Sequence, residues 1–233
     1  MMQLTNDTVE RIIQEVLARD ILAGLPGARD SRAPASAGSS GTDPRLVPVG
    51  VSNRHLHLSR ADLEALFGPG AALHRMKAMK QPGQFAAEET VTLKGPKGSL
   101  AKVRVLGPVR PETQVEISIA DGFALGIAPP LRMSGQLEDT PGIEIIGPRG
   151  RVCKERGVIV AQRHIHMPPD IAARLGLRNG QVVDVEAIGE RGGILHAVAI
   201  RAVEASALEL HIDVEEANAL CLRNGDTVRI LTP

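Results

Sequence analysis

The 233-residue sequence contains no tryptophan, no tyrosine, three phenylalanines and two cysteines. So few aromatics leave no stacking platform for single-stranded nucleic acid. Lys plus Arg and Asp plus Glu stand at 27 each, so no surplus of one sign favours a polyanion or an anionic surface. Neither nucleic acid nor a membrane is expected as a partner. No apolar run approaches the ~20 residues of a membrane span. The N-terminus lacks the basic stretch and apolar core of a secretory signal. Cys153 and Cys221 cannot build a disulfide scaffold, and a cytoplasmic protein with reduced thiols is expected. What is present is a hydrophobic fraction of 43%, carried mainly by Val, Ile, Leu and Ala, which suffices for a core.

The first segment reads as a helix. In "DTVERIIQEVLARDILA", residues 7–23, Val9, Ile12, Ile13, Val16, Leu17 and Ile21 fall on one helical face. Asp7 and Glu10 follow the capping-box pattern, and Gly24 and Pro26 end the segment. Residues 24–45 are rich in Gly, Pro, Ser and Ala and read as a flexible linker. An amphipathic helix within residues 1–23, held on a long tether, suits docking into a groove of another protein better than packing on its own body.

The body reads as mainly β. Stretches such as "LVPVGVS", "ETVTLKG", "LAKVRVLG", "QVEISI", "GVIVAQ", "HAVAIRAV" and "DTVRIL" alternate or run β-branched between turn signals. Helical signals are short: "SRADLEALFG", "PPDIAARLGL" and "VEEANALCL". This predicts two related β-barrel domains with short helices, one over residues 46–150 and one over 151–233, with elements exchanged between them.

A repeat underlies that division. "NRHLHL" (Asn53 to Leu58) returns as "QRHIHM" (Gln162 to Met167). Setting His55 on His164 puts Arg54 on Arg163 and His57 on His166. A second register sets "EISIADGFALGI" on "HIDVEEANALCL", with Glu116 on His211, Ile117 on Ile212 and Asp121 on Glu216. In a strand, residues i and i+2 share one face, so paired imidazoles can converge on one cation. The candidate metal sites are therefore His55, His57 and Glu116, and His164, His166 and His211. Three protein ligands leave positions open, as catalytic sites do. His74 and His196 have no partner at ligand spacing and read as surface histidines. Cys153, between basic residues in "GRVCKERG", is a rival nucleophile, but no base stands near it in the sequence. Cys221, in "ANALCL", reads as a small buried hydrophobe.

The motifs "VGVSNRHLHLS", "LKGPKG", "RPETQVEIS", "IVAQRHIHMPP" and "LHIDVEEANA" resemble those of the phosphate propanoyltransferases of the propanediol-utilisation type, over essentially all of the chain after the linker. That resemblance implies transfer of a short acyl group, propanoyl or similar, between coenzyme A and phosphate. It implies two β-barrels and two metal ions, usually zinc, with cobalt or manganese as alternatives. Carried over by residue, the two metal sites fall on the same six residues. Phosphate falls on Arg110, and coenzyme A on Ser52, Lys77, Arg104, Leu106, His211 and Asn218. A metal pair that orients phosphate and polarises the thioester, with Arg110 to grip phosphate, suits direct attack without an acyl-enzyme; the resemblance further implies residence in the lumen of a bacterial microcompartment. The N-terminal helix would bind shell or core proteins there, and a homo-oligomer is expected. Two other classes fit the same residues: a metal-dependent thioester or phosphoester hydrolase, and a non-catalytic microcompartment scaffold.

Overall fold

The computed structural model describes residues 43–231. The helix expected within residues 1–23, and the linker through residue 42, lie outside the described residues. Among the described residues, no helix is long and apolar enough to cross a membrane.

Two β units form the body, as the repeat predicts. One is a closed barrel of six strands in the order β1 (Leu46–Ser52), β14 (Glu209–Asp213), β11 (His164–Met167), β13 (Gly193–Ala202), β12 (Val182–Ala187) and β15 (Thr227–Leu231). The other is a curled nine-stranded sheet. Its main path runs β7 (Leu131–Arg132), β10 (Val158–Ala161), β6 (Gln114–Glu116), β2 (His55–His57), β5 (Ser99–Gly107), β4 (Phe85–Lys94), β8 (Ile143–Ile146) and β9 (Arg151–Lys154). The ninth strand, β3 (Arg75–Ala78), pairs with β4 outside this path.

Each unit has its own core. Val49, Ile165, Val185, Ile200, Leu210 and Ile230 belong to the barrel core. Leu56, Leu63, Leu93, Val105, Val115 and Ile145 belong to that of the sheet. Alternation along each strand explains the split, because every second side chain points inward. Among the described residues, four short helices follow strands: α1 (Arg60–Phe67), α2 (Ile119–Leu125), α3 (Pro169–Arg174) and α4 (Val214–Ala219). Ser59 caps α1 by accepting from the Asp62 amide. Ser118 with Asp121, and Asp213 with Glu216, form full capping boxes on α2 and α4. Helix α2 departs from the strand reading of "QVEISI". The strand ends at Glu116, and the Ser118 cap turns the chain into a helix too short to show a period.

The chain crosses between the two units at matched places. It leaves barrel strand β1 at Ser52 and enters the curled sheet at His55. It leaves sheet strand β10 at Ala161 and enters the barrel at His164. Each His-x-His is thus a short strand of its own just past a crossover, where the sequence suggested the end of the preceding strand. Strand pairing takes Leu46–Ser52 with the later strands, and Arg151–Lys154 and Val158–Ala161 with the earlier ones. Elements therefore cross a cut at residue 150 in both directions.

Candidate active site

Strands β2 and β6 pair antiparallel, with His55 opposite Glu116 and His57 opposite Gln114. Leu56 and Val115 point into the sheet core, which leaves these four polar side chains on the opposite face. His55 Nε2 lies 3.4 Å from Glu116 Oε2, and His57 Nε2 lies 3.9 Å from Oε1. Strands β11 and β14 repeat the register, with His164 opposite His211 and His166 opposite Glu209. The Nε2 atoms of His164 and His166 are 3.1 Å apart. The His211 ring centroid lies 5.2 Å from that of His164 and 4.6 Å from that of His166. In each triad, one ligating atom per residue falls within 4.8 Å of the others. The structure thus brings together the two sets that the repeat predicts.

The outer contacts repeat as well. His55 Nδ1 donates to the Asn53 carbonyl at 2.8 Å, and His164 Nδ1 to the Gln162 carbonyl at 2.8 Å. These carbonyls sit in the two crossovers. His57 Nδ1 donates to the Leu106 carbonyl at 3.2 Å. A ring that donates from Nδ1 keeps the Nε2 lone pair for a metal.

Burial shapes the charge states. Burial drives the His57 pKa down to about 3, helped by His55 and Arg110. His166 falls to about 3 through burial and its neighbours His164 and His211. His164 falls to about 4, chiefly by burial, although the Gln162 carbonyl opposes the shift. Burial also pulls on His55, but the charge of Glu116 and its hydrogen bond outweigh this and hold His55 above the ordinary imidazole range. Glu116, although burial opposes its charge, is held far below the usual carboxylate range by His55, His57 and Arg110. The shifts favour neutral His57, His164 and His166 and an ionised Glu116, the forms that bind a divalent metal, whereas His55 would have to give up the proton that Glu116 favours. The donor set, the converging nitrogens and the held tautomers fit a metal in each triad.

Both triads line one cavity of about 120 Å³, together with Arg110, Ser134 and Arg201. It shares Ser52, His55, Met79, Leu106 and His211 with a larger cleft of about 460 Å³. The larger cleft is also lined by Lys77 and Arg104, so five of the six residues expected to touch coenzyme A meet there. Asn218 lines neither cavity and is exposed on α4. Lys80 and Asn224 join the larger cleft without having been singled out in the sequence, and Arg54, noted there only as part of the repeat, lines it too.

Arg110 is held in place. Its amide donates to the Leu58 carbonyl at 2.9 Å, just past the first His pair, and its guanidinium donates to Ser134 Oγ at 2.9 Å. Gln114 donates to the same Ser134 Oγ at 2.9 Å and to Glu116 Oε1 at 2.5 Å. Arg201 stands beside His166 in the β11–β13 ladder. Its charge is felt by Arg110, His164 and His166. Nothing in the sequence distinguished it from other strand arginines.

The Arg before each His pair has a defined task. Arg54 grips both carboxylate oxygens of Asp121, at 2.8 and 2.7 Å. Arg163 donates to Glu216 at 2.9 Å and to the His196 carbonyl at 2.8 Å. Asp121 and Glu216 are the capping-box acids of α2 and α4. Each crossover is thereby tied to the helix that follows the third residue of its triad.

His74 and His196 are exposed, as expected, and the structure pairs them with Glu89 and Asp184. Cys153 is exposed and lines neither cavity. Cys221 corrects its sequence reading. It is exposed, beyond the end of α4, with a φ of 52°. The helix stops at Ala219, so the apolar period of "ANALCL" does not carry Cys221 inward.

Comparison with known proteins agrees with this frame. The family model described as phosphate propanoyltransferase matches residues 48–223. A curated relative of that name from Rhodopseudomonas palustris (strain BisB18) is 68% identical over 229 residues, covering 98% of this chain and 99% of the relative. Another, from Rhodobacter capsulatus, is 60% identical over 95% of this chain and 96% of the relative. A third, from Thermotoga maritima, is 58% identical over 81% and 90% respectively. The chain belongs to the phosphate propanoyltransferase family, a family of acyltransferases.

Proposed function

We propose that this chain converts propanoyl-CoA, or a similar short acyl-CoA, and phosphate into acyl phosphate and coenzyme A by direct attack at a two-metal site. The observation that carries this reading is one cavity walled by both ligand triads and Arg110, open along shared residues to a basic cleft. A phosphate oxygen forms the new bond to the thioester carbonyl carbon. The carbon–sulfur bond breaks, and the electron pair leaves with the sulfur, which gains a proton as free thiol. When bound in the triads, zinc, cobalt or manganese would supply Lewis-acid charge to phosphate and to the thioester.

The protein's own groups do the rest. Arg110, braced by Ser134, presents a fork that matches two phosphate oxygens. Arg201 adds a second guanidinium to the same wall. Lys77, Lys80 and Arg104 give the larger cleft the charge to receive the phosphates of coenzyme A. Arg104 is fixed by its donation to the Ala87 and Glu88 carbonyls at 3.0 and 2.8 Å. Neither cysteine lines these cavities, which favours direct attack over a thiol-bound acyl intermediate.

The family match begins at residue 48, so the preceding segment adds to the acyltransferase body. It supports a docking role for the amphipathic segment, toward shell or core proteins of a bacterial microcompartment. The chain is further proposed to self-associate. Solution mass with and without residues 1–45 tests that, and co-purification with shells tests docking.

The activity test is thiol release from propanoyl-CoA with and without phosphate, with acyl phosphate trapped by hydroxylamine. The expected result is thiol release that requires phosphate and yields hydroxamate in equal amount. Phosphate-independent release would replace this reading with a hydrolase. No release from protein holding two metals would leave a scaffold. Arg110→Ala is expected to lower turnover by about a hundredfold or more, with two metals retained.

A further inference from the structure

The second triad has a carboxylate one step behind it. Glu209 precedes His211 by two positions on β14, so both side chains lie on the face away from Leu210 and the barrel core. Glu209 is buried, and its Oε2 accepts from His211 Nε2 at 2.7 Å. Room for this side chain comes from β1: a Cβ on Gly50 would fall 2.8 Å from Glu209 Cδ. Gln81 donates to the same Oε2 at 3.3 Å, and Lys80 Nζ lies 3.7 Å from Oε1.

The first triad has a counterpart at the same place. Gln114 stands opposite His57 in its ladder, as Glu209 stands opposite His166. Gln114 donates its amide to the carboxylate of Glu116, whereas Glu209 accepts from the imidazole of His211. Each support matches the chemistry of its ligand. A carboxylate ligand is steadied by a donor, and an imidazole ligand by an acceptor.

We propose that Glu209 is a positioning residue of the second metal triad, an inference that rests on the metal reading of these residues. It holds His211 in the tautomer whose Nε2–H donates to the carboxylate, which leaves the Nδ1 lone pair free for a metal. It also gives the second triad a negative charge through His211, where the first triad has Glu116 directly.

The test is zinc binding, measured as metal per chain and as affinity by competition with a chromophoric chelator. The full chain is compared with Glu209→Ala, Glu209→Gln and Gln81→Ala. The wild type is expected to bind two zinc ions. Glu209→Ala is expected to weaken one site by about 10- to 100-fold and leave the other unchanged. Glu209→Gln keeps an acceptor without the charge, so a smaller loss at the same site is expected. It also keeps the question answerable if the alanine variant does not fold. Gln81→Ala removes one donor to Glu209 and the bonds to the Ala207 backbone but leaves the carboxylate and its bond from His211, so a loss smaller than that of Glu209→Ala is expected, at the same site only. Wild-type affinity at both sites in Glu209→Ala would overturn the inference, and so would equal weakening of both. A wild-type chain that binds no divalent metal would instead overturn the reading of the triads themselves.

Discussion

The curled sheet and the closed barrel present the same ligand frame on differently closed β units, and they fill its third position differently. In both, a crossover delivers a His-x-His strand, and a second short strand pairs against it to supply the third candidate ligand. In both, a crossover carbonyl fixes the first histidine, and an arginine ties the crossover to a capped helix. The third candidate ligand is Glu116 in one and His211 in the other, with Gln114 and Glu209 behind them. Backbone register therefore sets the positions, while the charge at each site is adjusted by the residues that fill the frame. Barrel closure is not required for the frame, because the sheet builds it unclosed.

The comparison can be broken most directly at the ligands. His57→Ala and His166→Ala should each remove one metal per chain and lower thiol release on the order of a thousandfold, the scale of losing several kcal/mol of charge stabilisation. Metal analysis beside the activity assay checks this. A variant that loses its metal yet keeps its activity would make the two triads unequal in function. The next effect lies in the cores. Leu56 and Ile165 sit between the paired histidines and are fully buried in separate cores. Leu56→Ala and Ile165→Ala should each cost about 2–5 kcal/mol of stability in denaturant unfolding of the metal-free protein. A much smaller cost for one of them would show that its unit does not hold its strand by packing. The smallest effect belongs to the arginines. Arg54→Ala and Arg163→Ala should each cost about 1 kcal/mol, since both side chains are partly exposed and solvent weakens their ion pairs. The same unfolding curves would show it, and no change in either would mean that the caps hold without the crossovers.

Much of this site was legible because a repeat carries register. Aligning the His pairs, and then the segments around Glu116 and His211, marks equivalent positions in the two halves, and the structure places these residues opposite one another within each half's ladder. The mainly β character and the short helices in "SRADLEALFG", "PPDIAARLGL" and "VEEANALCL" followed from local patterns. Sheet membership did not, because it depends on pairing between distant residues. Asn53-Arg54 and Gln162-Arg163 look like strand ends in sequence, yet they are the passages between units. The partner of Arg54 lies 67 residues away, so the motif was visible and its purpose was not. Arg201 and Glu209 are single charges on alternating strands, and only the fold turns them toward the ligands. Helix α2 and the short strands β3, β7 and β9 are too brief to show a period of their own.

The account rests on two matched triads serving one reaction, and titration of the metal-free full-length protein tests that most directly. Zinc would be added stepwise while bound metal per chain and phosphate-dependent thiol release from propanoyl-CoA are measured on the same samples. The prediction is that two ions bind and that activity rises with occupancy of the second site. Full activity with one ion bound, or two ions bound with no phosphate-dependent release, would contradict it.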